Sequence, residues 1–306
     1  LETAKEVISA GNFPVRKVLN LLKVSPSTHY YKGKSGVRKH GVSRSNDGII
    51  TGAPLSDEEV LREIKKYRKQ FPTYGVPRMT ALLKHKSNMK VNHKRVYRIM
   101  KENHLVLKRK CFKTKRTRAR KDFATAPNLH WQTDMTKFQI PGFGWVSLFL
   151  VVDIFSRKIV GWHLSTRARA KDPLVALEMA IRKELWPKVC SYASHLTLRS
   201  DNGCQYLSRT FFNYIEKIKN FVVIRHELTG YNQPEGDAYV EWTIRTVKEE
   251  EIWLQEYESF SEAKGGISRF IEFYNKGRMH SALGYMSPEQ YIESLYARLP
   301  KAVNAG

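Results

Sequence analysis

The stretch Val146-Ser147-Leu148-Phe149-Leu150-Val151-Val152 is nearly unbroken in apolar character, which is the signature of a strand buried on both faces. Working outward, Phe155-Ser156-Arg157 reads as a turn, and Lys158 to His163 as the next strand. Another strand precedes them around Gln132–Phe138. Pro173 to Leu185 carries the spacing of an amphipathic helix. His195 to Arg199 is a short strand ending in Ser200-Asp201-Asn202-Gly203. Three strands, a helix, a strand and more helices describe an α/β core with a mixed sheet. This core is expected over residues 127–254, with a C-terminal helical tail over 255–306.

The chain before this core has a different texture. Residues 1–31 read as a small helix-turn-helix-like unit, with Val15, Val18, Leu19 and Leu22 on one apolar face and Pro14 at a helix start. Residues 32–54 are rich in Gly, Ser, Lys and Arg and read as a flexible linker. A helical DNA-binding domain is expected over 55–107. Its first helix begins near Ser56, with Asp57 and Glu58 favouring the N-terminal dipole. Its last helix carries Lys94, Arg95, Arg98 and Lys101 beside the apolar Val96, Ile99 and Met100. A basic face of this kind suits a DNA-reading helix, and equally a solvated surface. Residues 108–126 form a basic arm: Lys108, Arg109, Lys110, Lys113, Lys115, Arg116, Arg118, Arg120 and Lys121 fall within fourteen positions. Such a run neutralises phosphates.

Charge points the same way. Lys and Arg number 53 against 29 Asp and Glu, a net charge of +24, and such an excess calls for a polyanionic partner. Double-stranded DNA is the expected one. No run of about 18 apolar residues exists to span a bilayer, and the first residues are not expected to act as a signal peptide. Leu1 in place of Met is expected of a processed chain or of part of a longer product. Cys111, Cys190 and Cys204 show no Cys-x-x-Cys spacing, so they read as incidental thiols of a reducing cytosol rather than a zinc site.

Cutting a phosphodiester at neutral pH needs charge neutralised on the attacking and leaving oxygens, and carboxylates that hold hard divalent cations do this. Asp134 sits inside a strand, where an acid is costly unless paired or metal-bound. Asp201 ends a strand at a turn, where α/β sheets build sites. Glu241 lies on a helix from about Asp237 to Glu251, whose apolar stripe is Val240, Ile244 and Val247. Glu241, Arg245 and Lys248 form a second stripe one residue round. The acid can hold metal while the cations grip a phosphate backbone. Each acid also has an ordinary reading: an edge-strand acid, an Asn-Gly turn residue, and one half of a helix pair with Arg245.

Six stretches in order turn these fragments into a resemblance. They are Tyr74-Gly75 with the helices to Leu105; Trp131-x-Thr133-Asp134-x-Thr136; Val152-Asp153-x-x-Ser156-Arg157-x-Ile159-Val160-Gly161-Trp162; Ser200-Asp201-Asn202-Gly203-x-Gln205-Tyr206; Asp237-Ala238-Tyr239-x-Glu241; and Tyr274-Asn275-x-x-Arg278-x-His280-Ser281-x-Leu283-Gly284-Tyr285-x-Ser287-Pro288. Together they resemble the DDE transposases of bacterial insertion sequence family three, with a retroviral-integrase-type core. The resemblance implies an RNase H-like fold, a mixed five-stranded sheet flanked by helices, preceded by helix-turn-helix units. It implies catalytic and metal-binding roles for Asp134, Asp201 and Glu241, with Mg²⁺ in a two-metal site and Mn²⁺ as a substitute. Lys248 is implied as a contact to terminal DNA. The implied reaction is hydrolytic nicking at element ends and joining of the freed 3′-OH to another strand. A homodimer or higher oligomer on synapsed ends, and a bacterial cytoplasm around the nucleoid, go with it.

The third acid stays open between two residues. Asp237, with 35 residues between it and Asp201, sits at the spacing usual in the family, whereas 39 separate Asp201 from Glu241. Helix face and local motif favour Glu241, and Asp237 reads as an N-cap. Asp153, in its Ser-Arg turn, reads as structural. Two other functions compete with the transposase: a DNA-binding regulator, derived from a transposase, that no longer cuts, and a nuclease that hydrolyses without joining.

Overall fold

A computed structural model describes residues 55–107, 124–186, 195–229 and 238–298, together with Val15, Leu19, Leu21 and Leu22 near the start. The chain divides into two compact units, Leu1–Pro54 and Leu55–Gly306. Of the first unit's apolar stripe, Leu19 is buried, whereas Leu22 is 42% exposed. The expected linker at 32–54 and nearly all of the expected basic arm lie outside the described residues.

In the second unit, helix α1 (Asp57–Gln70) starts at a capping box. The Ser56 hydroxyl accepts from the Glu59 amide at 3.1 Å, and the Glu59 carboxylate accepts from the Ser56 amide at 2.9 Å. Two amides that the helix leaves without partners are thereby satisfied. Helix α2 (Val76–His85) has Pro77 in its first turn. Helix α3 (His93–Glu102) is capped by Asn92, whose side chain accepts from the Lys94 amide at 3.0 Å. Val60, Ile64, Met79, Leu82, Leu83, Val96, Ile99 and Met100 form one core, into which Met279 from the far end of the chain also packs.

The sheet contains β1 (His130–Ile140), β2 (Gly144–Asp153), β3 (Ile159–Ser165), β4 (His195–Ser200) and β5 (Val223–Leu228), in the order β3-β2-β1-β4-β5. β1, β2 and β3 pair antiparallel, whereas β4 pairs parallel with β1 and β5 parallel with β4. This is the mixed five-stranded sheet of an RNase H-like core. From Val146 to Asp153 β2 has no solvent face: Leu148, Leu150 and Val152 join one core, and Phe149 and Val151 join the other. The first core is closed by α6 (Ala238–Glu250) and α7 (Phe260–Lys276). The second is closed by α4 (Asp172–Ala180) and α5 (Arg209–Ile218). A π-helical turn, Ile181–Leu185, continues α4, so the single helix expected over 173–185 changes its hydrogen-bond pattern midway. Helix α8 (Pro288–Arg298) follows α7.

Two features differ from the reading of residue patterns. β5 is a fifth strand that no pattern announced, because Arg225, His226 and Glu227 interrupt its apolar residues at the sheet edge. The segment expected as a tail, 255–306, supplies α7 to the core itself: Ala263, Ile267, Phe270, Ile271 and Tyr274 pack with β2 and α6. No helix among the described residues is long and apolar enough to cross a membrane.

Close approach of β3 to α4 depends on Gly161. A Cβ there would run into the Ala176 carbonyl oxygen and lie 2.9 Å from the Ala180 Cβ. Overpacking of this kind costs ~1–3 kcal/mol or more, because backbone rather than a flexible side chain must move. Gly161→Ala is expected to lower the urea midpoint of the full chain by an amount equivalent to at least ~2 kcal/mol. An unchanged midpoint would show that α4 moves away freely.

Candidate active site

Side chains alternate along β1, so Gln132, Asp134, Thr136 and Phe138 share a face, and Phe138 belongs to the core that α6 covers. The opposite face carries Thr133, whose hydroxyl lies 3.2 Å from that of Tyr206. Asp134 therefore faces α6. Gln132 is fully buried, and its Oε1 accepts from the Val240 amide at 3.0 Å. A side chain two residues before Asp134 thus holds the first turn of α6, one residue before Glu241.

The result is an open cleft of about 410 Å³ lined by Asp134, Thr136, Glu241, Arg245, Lys248, Glu249 and Trp253. The stripe expected on α6 is present: Val240, Ile244 and Val247 are buried, while Glu241 and Arg245 are exposed. Arg245 pairs with Glu249 at 2.7 Å. Asp134 Oδ1 accepts from the adjoining Met135 amide at 2.6 Å.

Asp201 reaches the same neighbourhood by another route. Thr133 pairs with Ser200 at the end of the parallel β1–β4 ladder, so Asp134 and Asp201 are the next residues on two adjacent strands. The turn after β4 is fastened to the end of β5. The Thr229 amide donates to the Ser200 carbonyl at 2.9 Å, and Asn202 Nδ2 donates to the Thr229 carbonyl at 2.9 Å. Asp201 Oδ1 accepts from the Gly203 amide at 3.0 Å, and a Cβ on Gly203 would lie 2.9 Å from that oxygen. The carboxylate therefore lies over its own turn, and Asp201 does not line the cleft shared by Asp134 and Glu241. Among the described residues, no three His, Cys, Asp or Glu side chains are gathered closely enough to hold a metal ion. The donor set still suits a hard divalent cation: Asp134 within β1 and Asp201 just past the end of β4 follow a paired position on adjacent strands, and the glutamate faces Asp134 across the cleft. The rival acid, Asp237, lies outside the described residues.

Of the DNA-contacting residues expected from the sequence, Lys94 is exposed on α3. Arg95 and Arg98 are engaged within the helical unit. Arg95 Nε and Arg98 Nη2 each lie 2.6 Å from the Asp57 carboxylate, and Arg95 Nη2 donates to the Leu55 carbonyl at 2.5 Å. The Arg98 hydrogen bond, with Arg95 beside it, holds the Asp57 carboxyl below its usual range. Lys108, Arg109, Lys110, Lys113, Lys115, Arg116, Arg118, Arg120 and Lys121 lie outside the described residues. So do Cys111 and Cys190, whereas Cys204 is a free, exposed thiol. Asp153 has the structural role expected of it. It is fully buried and accepts from the Asn128 amide, the Ser156 amide and the Ser156 hydroxyl.

Sequence reasoning passed over Gln132 and Trp253. A glutamine between Trp131 and Thr133 in a core strand was a readable signal, since a buried amide needs partners. Trp253 gave none: it is 65% exposed, and only the folded chain puts it on the rim of the cleft. Gln132→Leu would leave the Val240 amide without its acceptor, at a cost of ~1–3 kcal/mol. Hydrogen–deuterium exchange should then accelerate in the first turn of α6 before the rest of the helix. Unchanged exchange there would mean that Gln132 does not hold the helix.

Known proteins give these elements a context. Residues 124–229 match a model described as an integrase core domain, residues 223–288 match a second model of the same description, and residues 55–111 match an HTH-like domain. The transposase InsK for insertion sequence element IS150 of Escherichia coli is 28% identical, covering 93% of this chain and 95% of its own length. The transposase for insertion sequence element IS904 of Lactococcus lactis is 30% identical, covering 77% of this chain and 94% of its own length. The transposase InsD for insertion element IS2 of Escherichia coli is 25% identical over 95% of both chains. With the sheet order, the helical unit before it and these full-length relatives in agreement, the chain belongs to the transposases of bacterial insertion sequence family three.

Proposed function

We propose that this transposase nicks DNA at the ends of its element and joins the freed 3′-OH to another strand, with Asp134, Asp201 and Glu241 as its catalytic carboxylates. The observation that carries the reading is the cleft in which Asp134 faces Glu241, with Arg245 and Lys248 on the same wall. Acids to hold a cation and bases to hold phosphates stand within one open groove, where a DNA strand can enter from the side.

Two displacements at phosphorus make up the reaction. In the first, water attacks the phosphodiester, the bond from phosphorus to the 3′-oxygen breaks, and the element end leaves as a 3′-OH. In the second, that 3′-oxygen attacks a phosphodiester of the target strand and displaces the target's own 3′-oxygen. Asp134, Asp201 and Glu241 would hold a divalent cation, Mg²⁺ with Mn²⁺ as a substitute and two ions in all, which when bound neutralises charge on the attacking and leaving oxygens. Arg245 and Lys248 grip flanking phosphates and fix the strand across the cleft. Positioning and charge stabilisation are then the whole of the protein's task. Lys94, Arg95 and Arg98, with the basic residues from Lys108 to Lys121, extend the contact to duplex DNA. Two ends are held by at least two copies of the chain, on DNA in the bacterial cytoplasm.

Asp134→Asn, Asp201→Asn and Glu241→Gln should each reduce nicking and joining of a labelled element end in Mg²⁺ by ~10²–10³-fold or more, with DNA affinity in EDTA retained. Asp237→Asn should leave activity within a few fold of the parent. Loss of activity on the Asp237 change alone would move the third acid to that residue. Binding without any cut by the parent chain would make it a regulator, and nicks without joined products would make it a nuclease.

A further inference from the structure

Helix α6 borders a second cleft, of about 310 Å³, lined by Arg78, Arg157, Tyr239, Trp242, Arg278 and His280 among others. Pockets of ~300–1,000 Å³ are of ligand size. Its residues come from the turn after β2, the first turn of α6, the segment after α7 and, through Arg78, the helical unit. None of the catalytic roles above uses it.

Charge in this cleft is out of balance. Among the described residues, two of its three guanidinium groups share one carboxylate, Glu250, which lies behind the cleft wall. Arg278 donates to it at 2.6 and 2.7 Å, and Arg78 at 3.0 Å. The third, Arg157, has its Nη1 buried without a hydrogen-bond partner. Its guanidinium stacks 3.7 Å above the Tyr239 ring. A buried donor with no acceptor costs ~1–3 kcal/mol, so Arg157 Nη1 is a donor for which the described residues supply no acceptor. Arg157 also has φ of 63°, a left-handed conformation that is unusual for a long side chain. Asp153 enforces that turn: its carboxylate accepts from Ser156, and its carbonyl accepts from the Arg157 amide at 2.9 Å. Backbone strain and an unsatisfied donor thus fall on one residue, as they do where a ligand completes a site. His280, beside them, is pushed down to about 2 by burial and then by Arg278, Arg78 and Arg157. It is neutral at working pH and adds no charge to the three arginines.

On the rim stands Trp242, 63% exposed and next to Glu241 on α6. A phosphate alone would explain the arginines but not an exposed indole beside them. An indole face stacks on any nucleobase that has left its own stack. We propose that this cleft is a nucleic-acid subsite that takes one phosphodiester with its unstacked nucleotide from a single-stranded DNA segment, the phosphate against Arg157 and the base against Trp242. The subsite rests on the DNA-transposing reading above. The strand that crosses α6 at Glu241 passes into it on the helix's other side.

Binding of the full chain to a labelled duplex with a three-nucleotide single-stranded extension, compared with a flush duplex, tests this in EDTA, where nothing is cut. The parent chain is expected to prefer the extended DNA by ~10-fold, within the range for stacking one base. Arg157→Gln and Trp242→Ala should each abolish that preference and leave flush-duplex affinity unchanged. Arg157→Gln should also lower the salt slope for the extended DNA by ~0.7, the value for one single-strand phosphate. Arg157→Lys, which keeps the charge without the planar fork, should restore part of the preference. A parent chain with no preference, or a folded variant that keeps all of it, overturns the subsite. If Arg157→Gln does not fold, the exposed Trp242→Ala decides alone. Joining in Mg²⁺ is scored on the same preparations: preference without joining removes the transposase chemistry and leaves the subsite, and joining without preference removes the subsite alone.

Discussion

β1 changes the sense of the sheet. It runs antiparallel to β2 over its whole length and parallel to β4 only as far as Thr133. β4 stops at Ser200, while β1 continues to Ile140. Beyond Thr133, one edge of β1 has therefore lost its neighbour, and two aspartates emerge there on adjacent strands. A cleft at such a switch in strand pairing is where α/β sheets place ligands. The fastening of the turn after β4 to Thr229, and the tie from Gln132 to α6, both serve this one spot.

Helix α6 has to satisfy three environments at once. Val240, Ile244 and Val247 face the sheet; Glu241, Arg245 and Lys248 face the cleft with Asp134; Tyr239, Trp242 and Thr246 face the arginine-rich cleft. A helix that borders a cleft on each of two sides has little freedom to roll or slide, and it is tied at both ends. Gln132 holds its first turn through a neutral hydrogen bond, and Arg278 and Arg78 hold Glu250 in its last turn. A buried ion cluster of this kind adds little net stability, because desolvation offsets the attraction. Its effect is positional: it ties the last turn of α6 to Arg78 of α2.

The readable parts of the sequence were those where neighbours in the chain carry the signal. The apolar run of β2 announced a strand with two buried faces, and the spacing of Val240, Ile244 and Val247 announced both α6 and the face of Glu241. The Ser200–Gly203 turn was readable from its residue types. β5 was not, because this edge strand buries only Ile224, and one buried apolar residue beside Arg225 and Glu227 fits many structures. Contacts between distant segments were not readable either: Gln132 with Val240 spans 108 positions, and Arg78 with Glu250 spans 172. The family motifs marked Arg157, Tyr239, Arg278 and His280 separately, and only the fold shows that these four share a cleft.

The basic helix α3 shows how a net charge of +24 can still leave individual cations occupied. Arg95 and Arg98 converge on Asp57 at the start of α1, so a phosphate must compete with a carboxylate 2.6 Å away. The two arginines are not equivalent in that competition. Arg95 also donates to the Leu55 carbonyl and has 31% of its side chain exposed, against 52% for Arg98. If DNA takes Arg98, Asp57 keeps Arg95, and the cap on α1 is undisturbed because it is made by Ser56 and Glu59. If DNA takes Arg95, the Leu55 carbonyl loses its donor as well. Contact through Arg98 would therefore break only that residue's own pairs with Asp57 and Glu102 and leave Asp57 paired with Arg95, whereas contact through Arg95 would strip the Leu55 carbonyl as well.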